Sequence, residues 1–241
     1  MAKKRIAVVF GGASSEYEIS CLSASSVIAN IPAEDYEIVC IGITKKGTWL
    51  FYPGEWDLIA SGDWEKHPDC CPCMVSLGSA KKGIYKVLDD QSVSFLAIDC
   101  FFPVLHGKNG EDGTIQGLFE MSMIPYVGCD TCSSAICMDK AYTHTVLEAA
   151  GIRMTPWILC RRSDKFRSEQ IAQKVVDSFG FPVFVKPANA GSSVGVSKAK
   201  DENELEQAVK LAFVHDDKVL IEKAVSGIEV ECAVLGNTEP E

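Results

Sequence analysis

Short continuous apolar runs alternate along this chain with stretches of helical period, and glycines or polar clusters close most of them. Residues 5–10 (RIAVVF), 37–44 (EIVCIGIT), 99–105 (DCFFPVL), 157–160 (WILC), 181–185 (FPVFV) and 218–225 (KVLIEKAV) are too short for typical helices and rich in β-favouring side chains. They read as strands, the run at 181–185 buried on both faces. Residues 21–30, 114–121, 168–179 and 203–213 carry apolar side chains at helical spacing, for example Ile171, Val175, Val176 and Phe179, and predict amphipathic helices. Residues 133–150, closed by Gly151, predict one or two more. Strand, glycine turn and helix in repetition predict an α/β fold.

The connecting pieces are less regular. Residues 48–52 predict an antiparallel addition to the second strand, 84–88 and 93–95 a small hairpin, and 124–127 a short strand. Residues 196–198 return from the strand at 181–185, and 229–235 predict an antiparallel neighbour for the strand at 218–225. Between 53 and 79 no clean period survives, which predicts loop with a short helix at most. Residues 236–238 predict a hairpin turn.

At 241 residues and 47% hydrophobic content the chain can bury a large core in one or two domains. A formal net charge of -10 argues against general affinity for nucleic acid or an anionic membrane surface. No apolar run reaches the roughly 18 to 20 residues of a membrane span, and the start lacks a signal-peptide pattern. The expectation is a cytoplasmic protein. Eleven cysteines are then mostly reduced thiols, with Cys100, Cys160 and Cys232 used as small buried hydrophobes. His67, Cys70, Cys71 and Cys73 crowd together and Cys129-x-x-Cys132 stands alone, but the spacing does not make four zinc ligands, so surface thiols are expected and no metal site.

Candidate chemistry gathers at strand ends. Lys186 closes the strand at 181–185, and Gly191, Ser192, Ser193 and Gly195 follow as small residues whose backbone N–H groups can surround an anion. An ordinary Gly/Ser hairpin with a surface lysine would look the same. No lysine follows the glycines, so this is not the Walker pattern. His106 sits at the end of another strand, where ligands collect in open α/β sheets, or it bonds nearby backbone. Ser15 and Glu18 have capping-box spacing. Lys140 follows Asp139, with which it can pair.

Taken together, VLHGKNGEDGTIQGLFE, MDK, FPVFVKP with AGSSVGV, and VLIEKAVSGIEV occur in an order that resembles the D-alanine:D-alanine ligases of the ATP-grasp superfamily. HGKNGEDG and GCDTCSSAICMDK also resemble the D-alanine:D-serine ligases of vancomycin resistance. The resemblance implies an N-terminal open, mainly parallel α/β sheet over 1–127 that binds substrate. It places a central ATP-grasp subdomain with the phosphate loop at 128–217, and the start of a C-terminal subdomain at 218–241. It implies a cytoplasmic enzyme of cell-wall precursor synthesis, a homodimer through its N-terminal region, that uses ATP and Mg2+ to activate D-alanine as an acyl phosphate for attack by a second D-amino acid.

On matching residues, the resemblance directs Lys140 and Lys186 at the ATP phosphates with Ser193 in the closing loop. Glu222, Lys223 and the backbone near Val225 take the adenine edge, and Glu229 the ribose. Glu18, bonded through Ser192, takes the ammonium of the first D-alanine, and His106 lies near its carboxylate. Ala188, Asn189 and Ala190 stand where relatives often carry charge. The family's magnesium ligands, an oxyanion-stabilising arginine and the segment choosing the second amino acid would all follow position 241, so the chain alone is expected to be inactive. A nucleotide-binding module that senses rather than catalyses, and a metal-binding scaffold built on the cysteines, are the alternatives.

Overall fold

In the computed structural model, which describes residues 3–78, 80–164, 168–237 and 239–241, the chain divides into two compact units. One comprises 1–152 with 188–194, the other 153–187 with 195–241.

The first unit is built on a seven-stranded sheet. β1 (Lys4–Gly11) lies between β2 (Tyr36–Ile43) and β7 (Cys100–Val104), parallel to both. β3 (Trp49–Tyr52), β4 (Cys71–Val75), β5 (Gly83–Val87) and β6 (Val93–Ala97) extend the sheet antiparallel beyond β2. The parallel character expected of this sheet is therefore concentrated in β2, β1 and β7. Alternate residues of β1 serve two cores, as a period of two requires. Ala7 and Val9 face a cluster with Ile41, Phe101 and Phe119, whereas Val8 and Phe10 face one with Cys21, Ala24 and Trp64.

α1 (Tyr17–Asn30) covers the second face through Tyr17, Ser20, Cys21, Ala24, Ser25 and Ile28, spacings that form one helical stripe. α2 (Asp57–Ser61) packs beside it, and a single 3-10 turn follows at Asp63–Lys66. α3 (Thr114–Ser122) covers the first face through Ile115 and Phe119. α4 (Thr131–Met138) and α5 (Lys140–Ala149) are two helices, split at Asp139, whose carboxylate caps α5 by accepting from Ala141 N and Tyr142 N.

The second unit is a four-stranded antiparallel sheet in the order β10 (Ser197–Ala199), β9 (Val183–Pro187), β11 (Lys218–Lys223), β8 (Trp157–Arg161). α6 (Ser168–Ser178) and α7 (Glu202–His215) bury Ile171, Val175, Leu205 and Val209 against Val183, Val185, Val219 and Ile221. Burial in β9 alternates, with Val183, Val185 and Pro187 buried and Phe184 and Lys186 half-buried, so this strand carries one apolar core face rather than the two its run suggests.

Several expectations need correction. β4 lies in the stretch expected to be loop, because its alternation Cys71, Cys73 in and Pro72, Met74 out is only five residues long. Residues 124–127 make a single parallel bridge, Phe101 to Tyr126, rather than a strand. Residues 229–235 form no strand and are exposed; β11 is already bonded on both sides, by β8 and β9, so they have no edge of β11 to join. Among the residues expected to be buried thiols, Cys160 is buried but Cys232 is exposed. Of the expected surface thiols, Cys71 and Cys73 are buried. The expected turn at 236–238 includes Thr238, which lies outside the described residues.

Candidate functional site

The parallel part of the first sheet sets the site. Strands β2 and β7 flank β1, so the chain leaves β1 on one side and arrives in β7 on the other, and their carboxyl ends border a crevice. Gly11 turns out of β1 at φ +85, where a Cβ would overlap the Ile43 carbonyl. Its N–H donates to Ser20 Oγ at 2.8 Å, and Ser20 Oγ donates in turn to the Val104 carbonyl. A fully buried serine on α1 thus ties the ends of β1 and β7 together.

Beyond that knot the two strand ends meet again. Ser14 Oγ donates to the His106 carbonyl at 3.0 Å and accepts from Glu16 N at 3.1 Å. α1 begins at Tyr17, with Glu16 at its N-cap and no side-chain cap. Freed from capping, the Glu16 carboxylate accepts from Ser192 Oγ at 2.5 Å. Its other oxygen lies against Gly107, where an added Cβ would overlap it. Gly107, at φ +68, is the close approach that lets the carboxylate sit beside the His106 turn. His106 Nε2 is 3.2 Å from Ser23 Oγ on α1, and Gly107 N donates to Glu111 at 2.7 Å.

The segment 188–194, part of the same unit, is held by Lys140. Lys140 N donates to the Ala188 carbonyl at 3.1 Å and its ammonium to the Ala190 carbonyl at 2.6 Å. Ser192 and Ser193 then take φ +46 and +59, left-handed conformations that cost a non-glycine residue about a kcal/mol or more and gather at functional loops. The loop closes with Val194 N on the Gly191 carbonyl at 3.0 Å.

In the second unit Lys186 and Glu222 project from β9 and β11 on the sheet face opposite the helices, and their charges meet at 2.6 Å. Glu222 is buried and Lys186 half-buried. Lys223 ends β11, its N–H on the Pro156 carbonyl at 2.9 Å. Val225 and Glu229 are exposed in the irregular stretch after it.

The structure therefore brings Glu16, Ser14, His106, Ser192 and Lys140 into one unit and pairs Lys186 with Glu222 in the other. The resemblance implies a bond between Ser192 and Glu18, but Glu18 is exposed and ion-paired with Lys45, whose hydrogen bond holds its carboxyl below the usual range. Two positions apart on a helix are about 200° apart around it, so only one of the two glutamates can face the loop. The capping-box expectation fails for the same reason: neither Ser15 nor Glu18 caps α1. Glu16 and Ser14 were missed. The buried stripe Tyr17, Cys21, Ala24, Ile28 carried the signal, since it starts the helix at Tyr17 and leaves residue 16 on its lip.

The family profile described as D-ala D-ala ligase N-terminus matches residues 5–129, and that described as D-ala D-ala ligase C-terminus matches residues 146–241. The chain belongs to the D-alanine–D-alanine ligase family. A D-alanine–D-alanine ligase of Caldicellulosiruptor bescii is 48% identical over 240 residues, covering 99% of this chain and 65% of that protein. The solved VanG D-Ala:D-Ser ligase of Enterococcus faecalis is 43% identical with a TM-score of 0.91, covering 99% of this chain and 68% of that one. The D-alanine–D-alanine ligase of Bacillus anthracis complexed with ATP is 32% identical with a TM-score of 0.64, covering 94% and 58%. The chain thus spans about 65% of the length of such a curated relative. Within the D-alanine–D-alanine ligase frame, Ser14, Glu16 and His106 fall in the N-terminal match, Lys186, Ser192 and Glu222 in the C-terminal one, and Lys140 between them.

Proposed function

We propose that the protein is an ATP-dependent ligase that joins D-alanine to a second D-amino acid for cell-wall precursor synthesis. The observation that carries the reading is the Glu16 carboxylate held by Ser192 Oγ beside the His106 turn. A carboxylate so fixed is a receptor for the ammonium of an amino acid, while the imidazole of His106 suits the carboxylate end of the same substrate. ATP is the co-substrate, supported by the Bacillus anthracis relative solved with it. Lys186 supplies positive charge that a polyphosphate needs in a chain of net charge -10. An ammonium has three donors, so Lys186 bonded to Glu222 retains two for phosphate oxygens.

In this reading a carboxylate oxygen of the first D-alanine attacks the γ-phosphorus of ATP, ADP leaves, and an acyl phosphate forms. The amino group of the second D-amino acid then attacks the acyl carbon. The C–O bond to phosphate breaks, the amine loses its proton, and dipeptide and inorganic phosphate result. Alignment and charge stabilisation do most of this work, and a closing Gly191–Gly195 loop keeps water from the acyl phosphate. Magnesium would accompany the nucleotide, but among the described residues no three carboxylate, imidazole or thiol groups gather where they could hold an ion.

The likeness to the VanG enzyme favours a second reading, in which D-serine is the second substrate. Full-length protein incubated with ATP, magnesium and D-alanine, with and without D-serine, separates the two by the mass of the dipeptide. Absence of any dipeptide and of ADP would overturn both. A homodimer through the N-terminal region belongs to the same reading, and the mass of the full-length protein by light scattering tests it. Among the described residues no helix is long and apolar enough to cross a membrane.

A further inference from the structure

Between the two groups that the proposed reaction needs at the first substrate, one small side chain makes both connections. Ser14 donates to the backbone carbonyl of His106 at 3.0 Å and accepts from the backbone N–H of Glu16 at 3.1 Å. It is the hinge pin between a loop leaving β1 and a loop leaving β7, two segments 92 positions apart. Neither bond involves a side chain of the receptor itself.

The clearances around it are small. A Cβ on Gly107 would come within 3.1 Å of Ser14 Oγ as well as overlapping the Glu16 carboxylate, so hydroxyl, glycine and carboxylate occupy one close-packed corner. The next serine, Ser15, is exposed and caps nothing.

We infer that Ser14 is a positioning residue that sets the separation between the Glu16 carboxylate and the His106 imidazole, and so the length of amino acid accepted at the first position. This rests on the ligase reading above. Without the hydroxyl, Glu16 N loses its acceptor and the His106 carbonyl its donor, and the two loops part. Losing two neutral hydrogen bonds that position a ligand group corresponds to about a tenfold weakening of first-substrate binding. Nucleotide binding, which uses other residues, is unaffected.

The test uses full-length protein and initial rates of ADP release over a range of D-alanine and ATP concentrations. Ser14→Ala is expected to raise the KM of the first D-alanine about tenfold, leave the ATP KM within about twofold of wild type, and relax discrimination against D-2-aminobutyrate. Ser14→Thr, which keeps the hydroxyl, is expected to restore the wild-type KM. An active wild type whose Ser14→Ala variant keeps the same D-alanine KM, or loses ATP and D-alanine affinity alike, overturns the inference alone. Failure of Ser14→Thr to rescue does the same. A wild type that releases no ADP with D-alanine overturns the ligase reading and this inference with it.

Discussion

Ser192 Oγ donates to Glu16 Oε1 across 2.5 Å, joining residues 176 positions apart. The bond defines which of two neighbouring glutamates faces the 188–194 segment, and the ligase reading makes that carboxylate the ammonium receptor. In full-length protein Glu16→Gln is expected to raise the KM of the first D-alanine about 10- to 100-fold, the worth of a charge-assisted hydrogen bond. Glu18→Gln removes only an exposed pair with Lys45 and is expected to change that KM less than about twofold. Equal effects of the two substitutions on steady-state kinetics would count against Glu16.

The Lys186–Glu222 pair separates stability from nucleotide binding. Glu222 is buried and Lys186 only 28% exposed at its side chain, so Lys186→Met takes the neighbouring cation from a buried carboxylate. A loss of about 2 to 3 kcal/mol is expected by urea denaturation, less than for a pair fully inside because the lysine is partly hydrated. The double variant Lys186→Met with Glu222→Leu is expected to recover most of that stability without recovering ATP affinity. Recovery of both by the double variant would leave Lys186 no part in holding phosphate.

Much of this was legible in the sequence, and what was not has identifiable causes. Runs such as RIAVVF at β1 and KVLIEK at β11 bury enough β-branched surface to mark strands on their own. β4 did not, because five residues with one proline and two cysteines give too little period to count. Residues 229–235 had a strand's composition, but composition does not reveal that both edges of β11 are taken. At the site, residue types pointed to strand ends correctly. The choice between Glu16 and Glu18 turns on where α1 starts: with Tyr17 as its first residue, Glu16 lies at the N-cap within reach of Ser192, whereas Glu18, the residue the resemblance implies, pairs with Lys45 on the exposed side.

Burial of thiols gives the protein an alkaline limit. Desolvation pushes Cys40 and Cys73 up to about 12, and Cys21 and Cys160 up to about 11, from an ordinary 9.0. Above pH 9 the unfolded chain releases these protons while the folded chain keeps them, so the native state binds more protons and stability falls as pH rises. The contribution is whole below about pH 9 and is lost progressively toward 11 to 12. Urea midpoints measured in reductant are expected to be flat from pH 7 to 8.5 and to drop beyond 9. At pH 8 a thiol reagent is expected to label the exposed Cys129, Cys132, Cys137 and Cys232 of the native protein and the buried ones only in urea.

Gly42 and Trp64 are matched in volume. Gly42 lies in β2 beside Phe10 of β1, and a Cβ there would overlap the Trp64 ring. Trp64 has nowhere to retreat: it is wholly buried, edge-on to Phe10 at 5.1 Å and to Tyr52 at 6.1 Å, with its indole N–H donating to Tyr17 at 3.0 Å. Gly42→Ala is therefore expected to destabilise the protein by about 1 to 3 kcal/mol by overpacking, although alanine suits a strand better than glycine. In a Trp64→Leu background the ring that would be struck is gone, so the same alanine is expected to cost much less, and the two changes to be non-additive. Chemical denaturation of the four proteins measures that coupling, and strict additivity would show that the strand, rather than the tryptophan, requires the glycine.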